Sequence, residues 1–342
     1  MDFQRKRVPS SEKNQQLQSQ AISEYTLTRF DYLIDKIETA EFIQTPFKHL
    51  EILQFFTDAD FAELLACQEI AIPTAANDEE LFDHLLDRGY KIIPFPGSTA
   101  SRQEYLAWHQ NQTEGDRYHP TCEGFGVTLR LIEPISTFLQ ELDAFLRGDA
   151  FNAAIAKKFN INLESCSTDC GIQKYLDGYE ITPHPDVRFK ALTYMVNANP
   201  NPDSATQQHH THYMRFSDKR RYVETLWSGN QDIQRCWEPW EWCETEKVQS
   251  VNNSIVIFSP NNDTIHAVKA TYDHLAFQRT QLYGNLWYKN RPAVQKAEWT
   301  DLDVFANMTT RMANADPEKP IQKNKMSAIQ PDEQSLVAHK TL

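Results

Sequence analysis

The sequence predicts a mainly β protein with supporting helices, an α+β arrangement around a jelly-roll or sandwich core. From about residue 171 onward, short β-branched and aromatic runs follow one another and are separated by Pro, Asn and Gly, which is typical of such a core. The most regular helical pattern lies before this half. The 342 residues, of which 40% are apolar, suit one enlarged globular domain with loose ends.

The chain divides into four parts by composition. Residues 1–22 are polar and rich in Gln and Ser, so we expect a disordered tail there. Residues 23–165 are expected to form a support region of helices and strands. Residues 166–292 are expected to form the β core. Residues 293–342 form a C-terminal extension that we expect to be largely mobile, because its Pro, Lys, Asp and Gln residues follow no periodicity.

Three elements are predicted at the start of the support region. Apolar residues recur at near-helical spacing from about 24 to 42, which indicates an amphipathic helix. Residues 48–56 alternate in a way that suits a strand. A short helix near 58–69 follows, with Asp58 or Asp60 as its N-cap.

The most regular helix is predicted for residues 134–147. Its apolar side chains form one stripe, and Gly148 follows where a helix commonly ends. The stripe consists of Ile135, Phe138, Leu139, Leu142, Phe145 and Leu146. We expect this helix to lie across a sheet.

The strands of the β core are predicted from runs of β-branched and aromatic residues bounded by turn formers. These runs are residues 172–176, 189–197, 222–227, 248–259, 265–270 and 279–289. The region from Asn199 to Tyr222 matches no motif, so we interpret it as a lid or substrate loop.

Charge argues against two classes of partner. Lys and Arg number 34 against 47 Asp and Glu, and the net charge is −13. Such a chain repels phosphate backbones and anionic headgroups, so we expect neither a nucleic-acid partner nor a membrane partner. No run of about 18 apolar residues is present, which argues against a transmembrane helix. The sequence leaves the oligomeric state open.

The cysteines favour a reducing compartment. They are sparse and form no Cys-x-x-Cys pair, and the basic start of the chain is not followed by the apolar segment of a secretory signal. We therefore expect reduced thiols and a cytoplasmic location. The six are Cys67, Cys122, Cys166, Cys170, Cys236 and Cys243.

Two imidazoles and one carboxylate form the strongest chemical signal. His184 and Asp186 flank Pro185, and His266 follows the apolar run that ends at Phe258. This set corresponds to the 2-His-1-carboxylate triad, which holds one face of a ferrous ion and leaves the other positions open. Because alternate strand residues point the same way, we expect His184 and Asp186 to reach one metal ion.

Arg279 stands thirteen residues after His266 and opens an apolar strand. A lone cation there is costly, so it needs an anion. A planar guanidinium pairs with a carboxylate through two hydrogen bonds. A dicarboxylate that chelates iron through its keto-acid end would place its other carboxylate on Arg279.

With these residues the sequence resembles the Fe(II)/2-oxoglutarate-dependent oxygenases, and within them the prolyl-hydroxylase-like branch. The resemblance covers about residues 170 to 290. It includes Tyr175 nine residues before His184, the runs PHPDVRFKALTYMVNANP, YVETLW and NNSIVIFSPNNDTIHAV, and Arg279. It implies that residues 166–292 form a double-stranded β-helix catalytic core.

The resemblance also implies the roles of individual residues. His184, Asp186 and His266 would bind Fe(II), and Arg279 would anchor 2-oxoglutarate. Tyr175 would give the co-substrate a second hydrogen bond. One departure is Gln281, since many relatives carry Ser or Thr two residues after the anchoring Arg.

The implied reaction consumes 2-oxoglutarate and O₂ and releases succinate and CO₂. Because Asp186 is present, hydroxylation of an unactivated C–H bond is favoured, with desaturation or oxidative cyclisation on the same machinery. A small-molecule or natural-product substrate is our first interpretation, and a protein or glycan hydroxylase is the second. A non-catalytic jelly-roll binding protein is the alternative from another class.

The segment 207–221 contains the candidate substrate contacts His210, His212 and Arg215, and Trp227 lies just beyond it. A zinc module built on His209, His210 and His212, with Cys236 and Cys243, is a rival interpretation, although a polar loop suits the spacing better. Arg215, Lys219, Arg220 and Arg221 form a basic cluster, interpreted as a solvated face or an attractor for an anionic substrate.

Trp237, Trp240 and Trp242 alternate with glutamates in the segment CWEPWEWCE. They suit either stacking on sugars or planar rings, or a half-buried strand or loop over the sheet. Both interpretations remain open from the sequence.

Overall fold

The computed structural model describes residues 28–94, 101–111, 121–230 and 232–290. The predicted tail at 1–22 and the extension at 293–342 lie outside these residues. No helix in the described ranges has both the length and the apolarity needed to cross a bilayer.

The described residues contain eleven strands and seven helices. The strands are β1 (Leu50–Leu53), β2 (Tyr90–Ile92), β3 (Thr128–Leu131), β4 (Cys166–Tyr175), β5 (Glu180–His184), β6 (Lys190–Asn197), β7 (Thr211–Phe216), β8 (Cys243–Gln249), β9 (Ser254–Phe258), β10 (His266–Lys269) and β11 (Arg279–Tyr288). The helices are α1 (Asp31–Thr39), α2 (Asp58–Ala66), α3 (Asp78–Asp87), α4 (Arg102–Asn111), α5 (Thr137–Arg147), α6 (Asp149–Lys158) and α7 (Tyr222–Gly229).

The strands form two antiparallel sheets. The larger sheet has the order β1-β9-β6-β11-β4-β3-β2, and the smaller has the order β5-β10-β7-β8. The last eight strands, β4 to β11, contribute four to each sheet, which is the arrangement of a jelly roll. Tyr213 of β7 packs on Phe258 of β9 at 6.3 Å between ring centroids, so the sheets lie face to face. The predicted mainly β fold with a double-stranded β-helix core is confirmed.

Helices cover the other face of the larger sheet. Leu139 and Leu142 of α5 belong to the same buried cluster as Ile172 of β4 and Leu282 of β11. Arg147, at the end of α5, donates to the backbone oxygen of Cys170 at 2.9 Å. The predicted helix at 134–147 therefore lies across the sheet as expected, with its apolar stripe against the strands.

Gly284, in the middle of β11, leaves room for a ring of the neighbouring strand. A Cβ atom there would lie 2.0 Å from Cζ of Tyr194, a buried side chain. We expect Gly284→Ala to reduce the free energy of unfolding by about 1–3 kcal/mol, as overpacking of a core does. Urea unfolding tests this against Gly171→Ala on β4, whose Cβ would meet the Tyr283 ring at 3.3 Å. Equal stability of the two variants would contradict the expectation.

The first three predicted elements are present with shorter bounds. The helix at 24–42 is α1, which begins only at Asp31, and residues 24–27 lie outside the described residues. The strand at 48–56 is β1, after which Gln54 turns the chain with φ 51°. The helix at 58–69 is α2, and its N-cap is Thr57 rather than Asp58 or Asp60. The Thr57 hydroxyl accepts from the Asp60 backbone N–H at 3.2 Å, and the two aspartates lie in the first turn.

The predicted strand at 222–227 is wrong, because this segment forms α7. Val223 and Trp227 are buried, whereas Tyr222 and Leu226 are exposed. Each pair is four residues apart, which puts its members on one helix face. The β-branched and aromatic content of the segment concealed this periodicity.

The predicted lid at 199–222 is also wrong in its middle part. Residues 211–216 form β7, which pairs with β10 on one side and β8 on the other. Neither β7 nor β8 carries a continuous apolar run, because one face of the smaller sheet is polar. In β8, Glu244, Thr245 and Glu246 are exposed. Such strands have weak sequence signals.

The predicted strand at 248–259 is divided in the structure. β8 ends at Gln249 and β9 begins at Ser254, and Asn253 between them has φ 53°. Asn tolerates this left-handed conformation better than most residues. Besides β7, the elements that the sequence did not indicate include α3, α4, α6, β2 and β3.

Candidate metal centre

Strand pairing brings the two predicted histidine ligands together. His184 is the last residue of β5 and His266 the first of β10, and the two are direct partners in the antiparallel register. Their ring centroids lie 4.3 Å apart. Both side chains point into the space between the sheets and are buried.

Asp186 joins the histidines by a route that differs from the predicted one. It lies two residues beyond β5 and has φ 71°, so it does not alternate with His184 along a strand. Its carboxylate oxygens lie 3.7 Å from Nε2 of His184 and 3.8 Å from Nε2 of His266. A non-glycine residue with positive φ is uncommon and is often found at functional sites. The three residues meet because the chain turns sharply there.

Both imidazoles are oriented by the backbone. Nδ1 of His184 lies 2.8 Å from the carbonyl oxygen of Thr182, and Nδ1 of His266 lies 2.9 Å from that of Thr264. A carbonyl only accepts, so each Nδ1 carries the proton and each Nε2 presents a lone pair beside Asp186. This is the orientation that metal-binding histidines require.

The protonation states suit a cation. Burial and the neighbouring His184 lower the pKa of His266 to about 3. Burial alone would raise the pKa of Asp186, but Lys190 and the two imidazoles hold it well below its usual range. Lys190 Nζ lies 2.8 Å from Oδ1 of Asp186, and the Thr193 hydroxyl donates to Oδ2 at 2.8 Å. A neutral imidazole and an ionised carboxylate are the forms that bind metals.

A cavity of about 470 Å³ lies between the sheets and contains this triad. Arg279 and Tyr175 line the same cavity. They are neighbours across β4 and β11, because Tyr175 is the register partner of Arg279. The structure therefore brings all five residues of the predicted metal and co-substrate sites to one cavity.

Arg279 is a buried cation with an incomplete set of partners. It is 2% exposed, and its Nη2 donates to Thr211 Oγ1 at 3.2 Å and Gln281 Oε1 at 3.0 Å. Its guanidinium lies 4.2 Å from the centroid of the Tyr175 ring. Nη1 has no hydrogen bond, and both hydrogen-bond partners of Nη2 are uncharged. Burial lowers its pKa, so the site lacks an anion.

The predicted substrate contacts lie away from this cavity. His210 contacts the Ser204 carbonyl oxygen, and His212 contacts Thr245. Arg215 pairs with Glu244 and Glu246 on the exposed surface. The fourth candidate, Trp227, packs under the guanidinium of Arg188 at 3.9 Å. None of the four lines the cavity.

The zinc interpretation of the histidine-rich segment is wrong in geometry. Nε2 atoms of His209 and His210 both face the Ser204 carbonyl oxygen, and the His212 ring packs edge-on against Trp240. Cys236 instead donates to Glu238 at 2.9 Å. Within the part of the chain that the structure describes, two other groups have metal-binding spacing, and the histidine-rich segment contributes to neither.

The tryptophan-rich segment is divided between two environments. Trp237 lines the cavity. Trp240 and Trp242 pack against a separate apolar cluster that includes Met214 and Phe216 of β7. Trp240 also donates to Glu180 at 2.7 Å. Of the three, Trp237 is placed to contact a molecule in the cavity.

Sequence reasoning missed several cavity residues. Lys190, which pairs with Asp186, was one, and because the turn that joins them is not helical, their spacing of four residues gave no signal. Along β11, every second residue lines the cavity, namely Arg279, Gln281, Tyr283, Asn285 and Trp287. This period of two follows from strand geometry once Arg279 is placed. Arg130 of β3 also lines the cavity, and its local sequence carries no comparable signal.

The second group with metal-binding spacing consists of Asp78, His109 and His274. The backbone N–H of Asp177 donates to Nδ1 of His274 at 3.0 Å, so this ring carries its proton on Nε2, which lies 2.9 Å from Asp78. His109 lies between two carboxylates, 2.6 Å from Asp78 and 2.9 Å from Asp177. The Nε2 atom of His274, which faces Asp78, therefore carries a proton rather than a metal ion.

The charge on His109 predicts a pH-dependent stability. Burial alone lowers its pKa, but hydrogen bonds with Asp177 and Asp78 outweigh burial and raise the pKa to about 9. Because the folded-state pKa is raised above the usual ~6.5, this stabilisation is complete below pH ~6.5 and is lost as pH rises through about 9. We expect the wild type to lose melting temperature over that range and His109→Gln to lose less. Parallel curves for the two proteins would contradict this.

Comparison with known proteins finds no match by sequence and low-scoring matches among solved structures. No protein-family model matches the chain, and no curated protein matches it. A prolyl-4-hydroxylase from Pseudomonas putida matches with 13% identity and a TM-score of 0.37, over 77% of this chain and 100% of that one. A 2OG-Fe(II) oxygenase family oxidoreductase from Burkholderia pseudomallei matches with 11% identity and a TM-score of 0.28, over 69% and 94%.

A third solved structure is HygX from Streptomyces hygroscopicus, with nickel, 2-oxoglutarate and hygromycin B bound. It has 9% identity and a TM-score of 0.32, over 81% of this chain and 94% of that one. These solved structures include an oxygenase of the family that the sequence resembles. Scores this low transfer no residue role to the present chain.

Proposed function

We propose that this protein is an Fe(II)- and 2-oxoglutarate-dependent dioxygenase that hydroxylates an unactivated C–H bond of a small molecule and releases succinate and CO₂. One observation carries the proposal. A buried His184, Asp186 and His266 triad and a buried Arg279 without an anion share one cavity. The triad is suited to the ferrous ion, and Arg279 is suited to a carboxylate of 2-oxoglutarate.

The triad fits ferrous iron by its chemistry. Two Nε2 lone pairs and one carboxylate are the donors of the facial triad of non-haem iron oxygenases. The Asp186 carboxylate oxygens lie 3.7 Å from Nε2 of His184 and 3.8 Å from Nε2 of His266, below the maximum of about 4.2 Å that two bonds of ~2.1 Å to one ion allow. His184, Asp186 and His266 would hold the ion. Lys190 and Thr193 would hold the carboxylate of Asp186 in place.

The Arg279 pocket fits the distal carboxylate of 2-oxoglutarate. An isolated buried guanidinium is costly, and a carboxylate that accepts from its fork removes most of that cost. Nη1 has no acceptor, so a carboxylate has a place to bind. Gln281 and Thr211 hold Nη2 from the other side. The Tyr175 hydroxyl makes no hydrogen bond among the described residues and lines the same cavity, so it can donate to the same carboxylate.

When bound, the ferrous ion with 2-oxoglutarate and O₂ supplies the oxidising chemistry. The chain contributes binding, orientation and exclusion of water. Phe258 packs against the His266 ring at 5.0 Å between centroids, which fixes that imidazole. The enclosed position of the triad between two sheets keeps bulk water away from the reacting centre.

The cavity favours a small-molecule substrate. Its volume of about 470 Å³ lies in the range of about 300–1,000 Å³ of pockets that bind drug-sized ligands. A substrate would share it with 2-oxoglutarate, which occupies the Arg279 end. The six cysteines are free thiols, which supports a reducing, cytoplasmic compartment as part of the proposal.

Succinate formation tests the proposal. We expect purified protein with Fe(II), 2-oxoglutarate and O₂ to convert 2-oxoglutarate slowly to succinate even without its substrate, and to stop when iron is chelated. His184→Ala should abolish this conversion. His212→Ala, a matched change on the same sheet outside the cavity, should leave it unchanged. Wild-type conversion no faster than in an enzyme-free control would support the non-catalytic alternative instead.

A further inference from the structure

A second cation, Arg130, lines the cavity at a distance from the Arg279 pocket. It lies on β3, where its register partner is Gln173 of β4. Gln173 in turn pairs with Gln281 of β11. Arg130 is therefore two strands away from β11, or about 10 Å at the usual strand spacing of ~4.8 Å.

The Arg130 side chain is held in place but its fork is not used. Its guanidinium lies over the Tyr283 ring at 4.3 Å, and its Nε donates to Gln173 Oε1 at 3.4 Å. The nearest carboxylate oxygen, Oδ1 of Asp169, lies 3.7 Å from Nη1, which is beyond hydrogen-bond distance. Among the described residues, no group accepts a hydrogen bond from Nη1 or Nη2. The two Nη atoms are therefore held in place and have no hydrogen-bond acceptor among the described residues.

Gln173 adds a further donor at the same place. It is 7% exposed and lines the cavity. Because Arg130 Nε is a donor, the amide atom that meets it must be Oε1, which leaves Nε2 as the donor. Nε2 has no partner among the described residues. An amide N–H at the wall of a cavity is available to donate to a ligand.

Asp169 does not supply the missing acceptor. Its Oδ1 accepts from the Tyr283 hydroxyl at 3.3 Å, and its side chain is 36% exposed. The Arg130 side chain is 31% exposed, so the ion pair with Asp169 is partly screened by water and is weak. The corner formed by Arg130 and Gln173 offers donors alone, since a guanidinium has no acceptor atom.

We propose that the substrate carries a carboxylate, which binds to the fork of Arg130 and to Nε2 of Gln173. This inference rests on the proposed function and names the chemical class of its substrate. A hydroxyl would use the same donors without supplying charge, whereas a carboxylate accepts from both arms of the fork and brings a closer counterion than Asp169, whose Oδ1 lies 3.7 Å from Nη1. Trp237 and Trp287 line the same cavity, so the body of the substrate is apolar and suited to aromatic contacts.

The position of this corner agrees with the reaction. Tyr283, which carries the Arg130 guanidinium, lies two residues before Asn285 on β11. Asn285 contacts Thr193 at 3.4 Å, and Thr193 holds Asp186. A molecule anchored by its carboxylate at Arg130 therefore extends along the face of β11 toward the metal centre. Arg130 is a specificity-determining residue in this account.

A matched pair of probes tests the inference. The probes are 3-phenylpropionate and its uncharged isostere 3-phenylpropionamide, titrated calorimetrically under anaerobic conditions into protein loaded with Fe(II) and saturating 2-oxoglutarate. We expect the wild type to bind the acid at least about tenfold more tightly than the amide. Arg130→Gln should remove this preference, and Gln173→Leu should weaken acid binding without affecting the amide. Arg215→Gln, outside the cavity, should bind both probes as the wild type does.

Equal affinities of the wild type for acid and amide, including no binding of either at millimolar concentration, would overturn the inference. Retention of the acid preference in Arg130→Gln would also overturn it. The visible absorption of the Fe(II)/2-oxoglutarate complex is the independent readout. We expect Arg130→Gln to keep this absorption, so failure of the acid site is distinguishable from failure of the proposed function, in which the absorption is missing from the wild type as well.

Discussion

Asp186→Asn is expected to reduce succinate formation by more than about 100-fold and to leave the fold intact. Asparagine matches aspartate in size and tolerates the left-handed backbone at this position, where φ is 71°, so the change removes the charge without adding backbone strain. Loss of residues that merely orient a ligand costs about 10–100-fold in metal affinity or activity. Loss of a ligand charge should cost more.

The control for this prediction is Asp218→Asn, an exposed carboxylate outside the cavity. Both variants should keep a cooperative melting transition, with a lower melting temperature for Asp186→Asn because Lys190 loses its charge partner, and only Asp186→Asn should lose turnover and iron binding. Asp186→Ala should lose turnover as well, with a further loss of stability from the strained backbone. Wild-type succinate formation by Asp186→Asn would remove Asp186 from the metal centre.

Arg279→Gln is expected to raise the concentration of 2-oxoglutarate needed for half-maximal turnover by about 30-fold or more. Truncating one partner of a buried charge pair costs about 2–5 kcal/mol, and ~1.4 kcal/mol corresponds to a factor of ten. The maximal rate at saturating 2-oxoglutarate should change much less, because Arg279 lies away from the metal ligands. Steady-state rates over a wide range of 2-oxoglutarate concentration separate the two effects.

The same variant has a distinctive effect on stability. In the absence of 2-oxoglutarate, Arg279 is a buried cation without an anion, so its removal should not lower the melting temperature. Adding 2-oxoglutarate should raise the melting temperature of the wild type and have little effect on Arg279→Gln. An unchanged 2-oxoglutarate requirement would place the anchor elsewhere. A large loss of stability without ligand would mean that Arg279 supports the fold through Thr211 and Gln281.

The residues of the candidate site could be predicted from the sequence more readily than the secondary structure of the segments around them. His184, His266 and Arg279 each border a strongly apolar strand or lie in one, so their placement follows from strand pairing. The position of Asp186 was predicted for the wrong reason. The positive φ of Asp186 depends on how β5 leaves the sheet, which is set by contacts with distant parts of the chain. The local sequence around Asp186 therefore does not indicate it.

The smaller sheet shows where sequence reasoning fails. β7 and β8 face water on one side and carry His, Arg, Glu and Lys, so their apolar alternation is incomplete. Helix α7 has the opposite problem, because its Val, Thr, Tyr and Trp residues resemble a strand although their burial repeats every four residues. Tertiary contacts, rather than local propensity, determine the secondary structure of such segments.

The cluster of Asp78, His109, Asp177 and His274 is a further example. Its members lie on α3, on α4, in the turn after β4 and in the segment between β10 and β11. Only the folded chain brings them together. The Arg130 corner is similar, since Arg130 and Gln173 are 43 residues apart and become neighbours through strand register. Sites assembled from several strands in this way require the structure.

Anaerobic titration with Fe(II) and 2-oxoglutarate tests the central claim most directly. Chelation of ferrous iron by a keto acid produces a weak visible absorption, which reports on the metal and the co-substrate together. We expect this absorption in the wild type, its loss in His266→Ala, and its return in Arg279→Gln only at much higher 2-oxoglutarate concentration. Absence of the absorption from the wild type, or its persistence at full strength in His266→Ala, would contradict the assignment of the cavity as an iron and 2-oxoglutarate site.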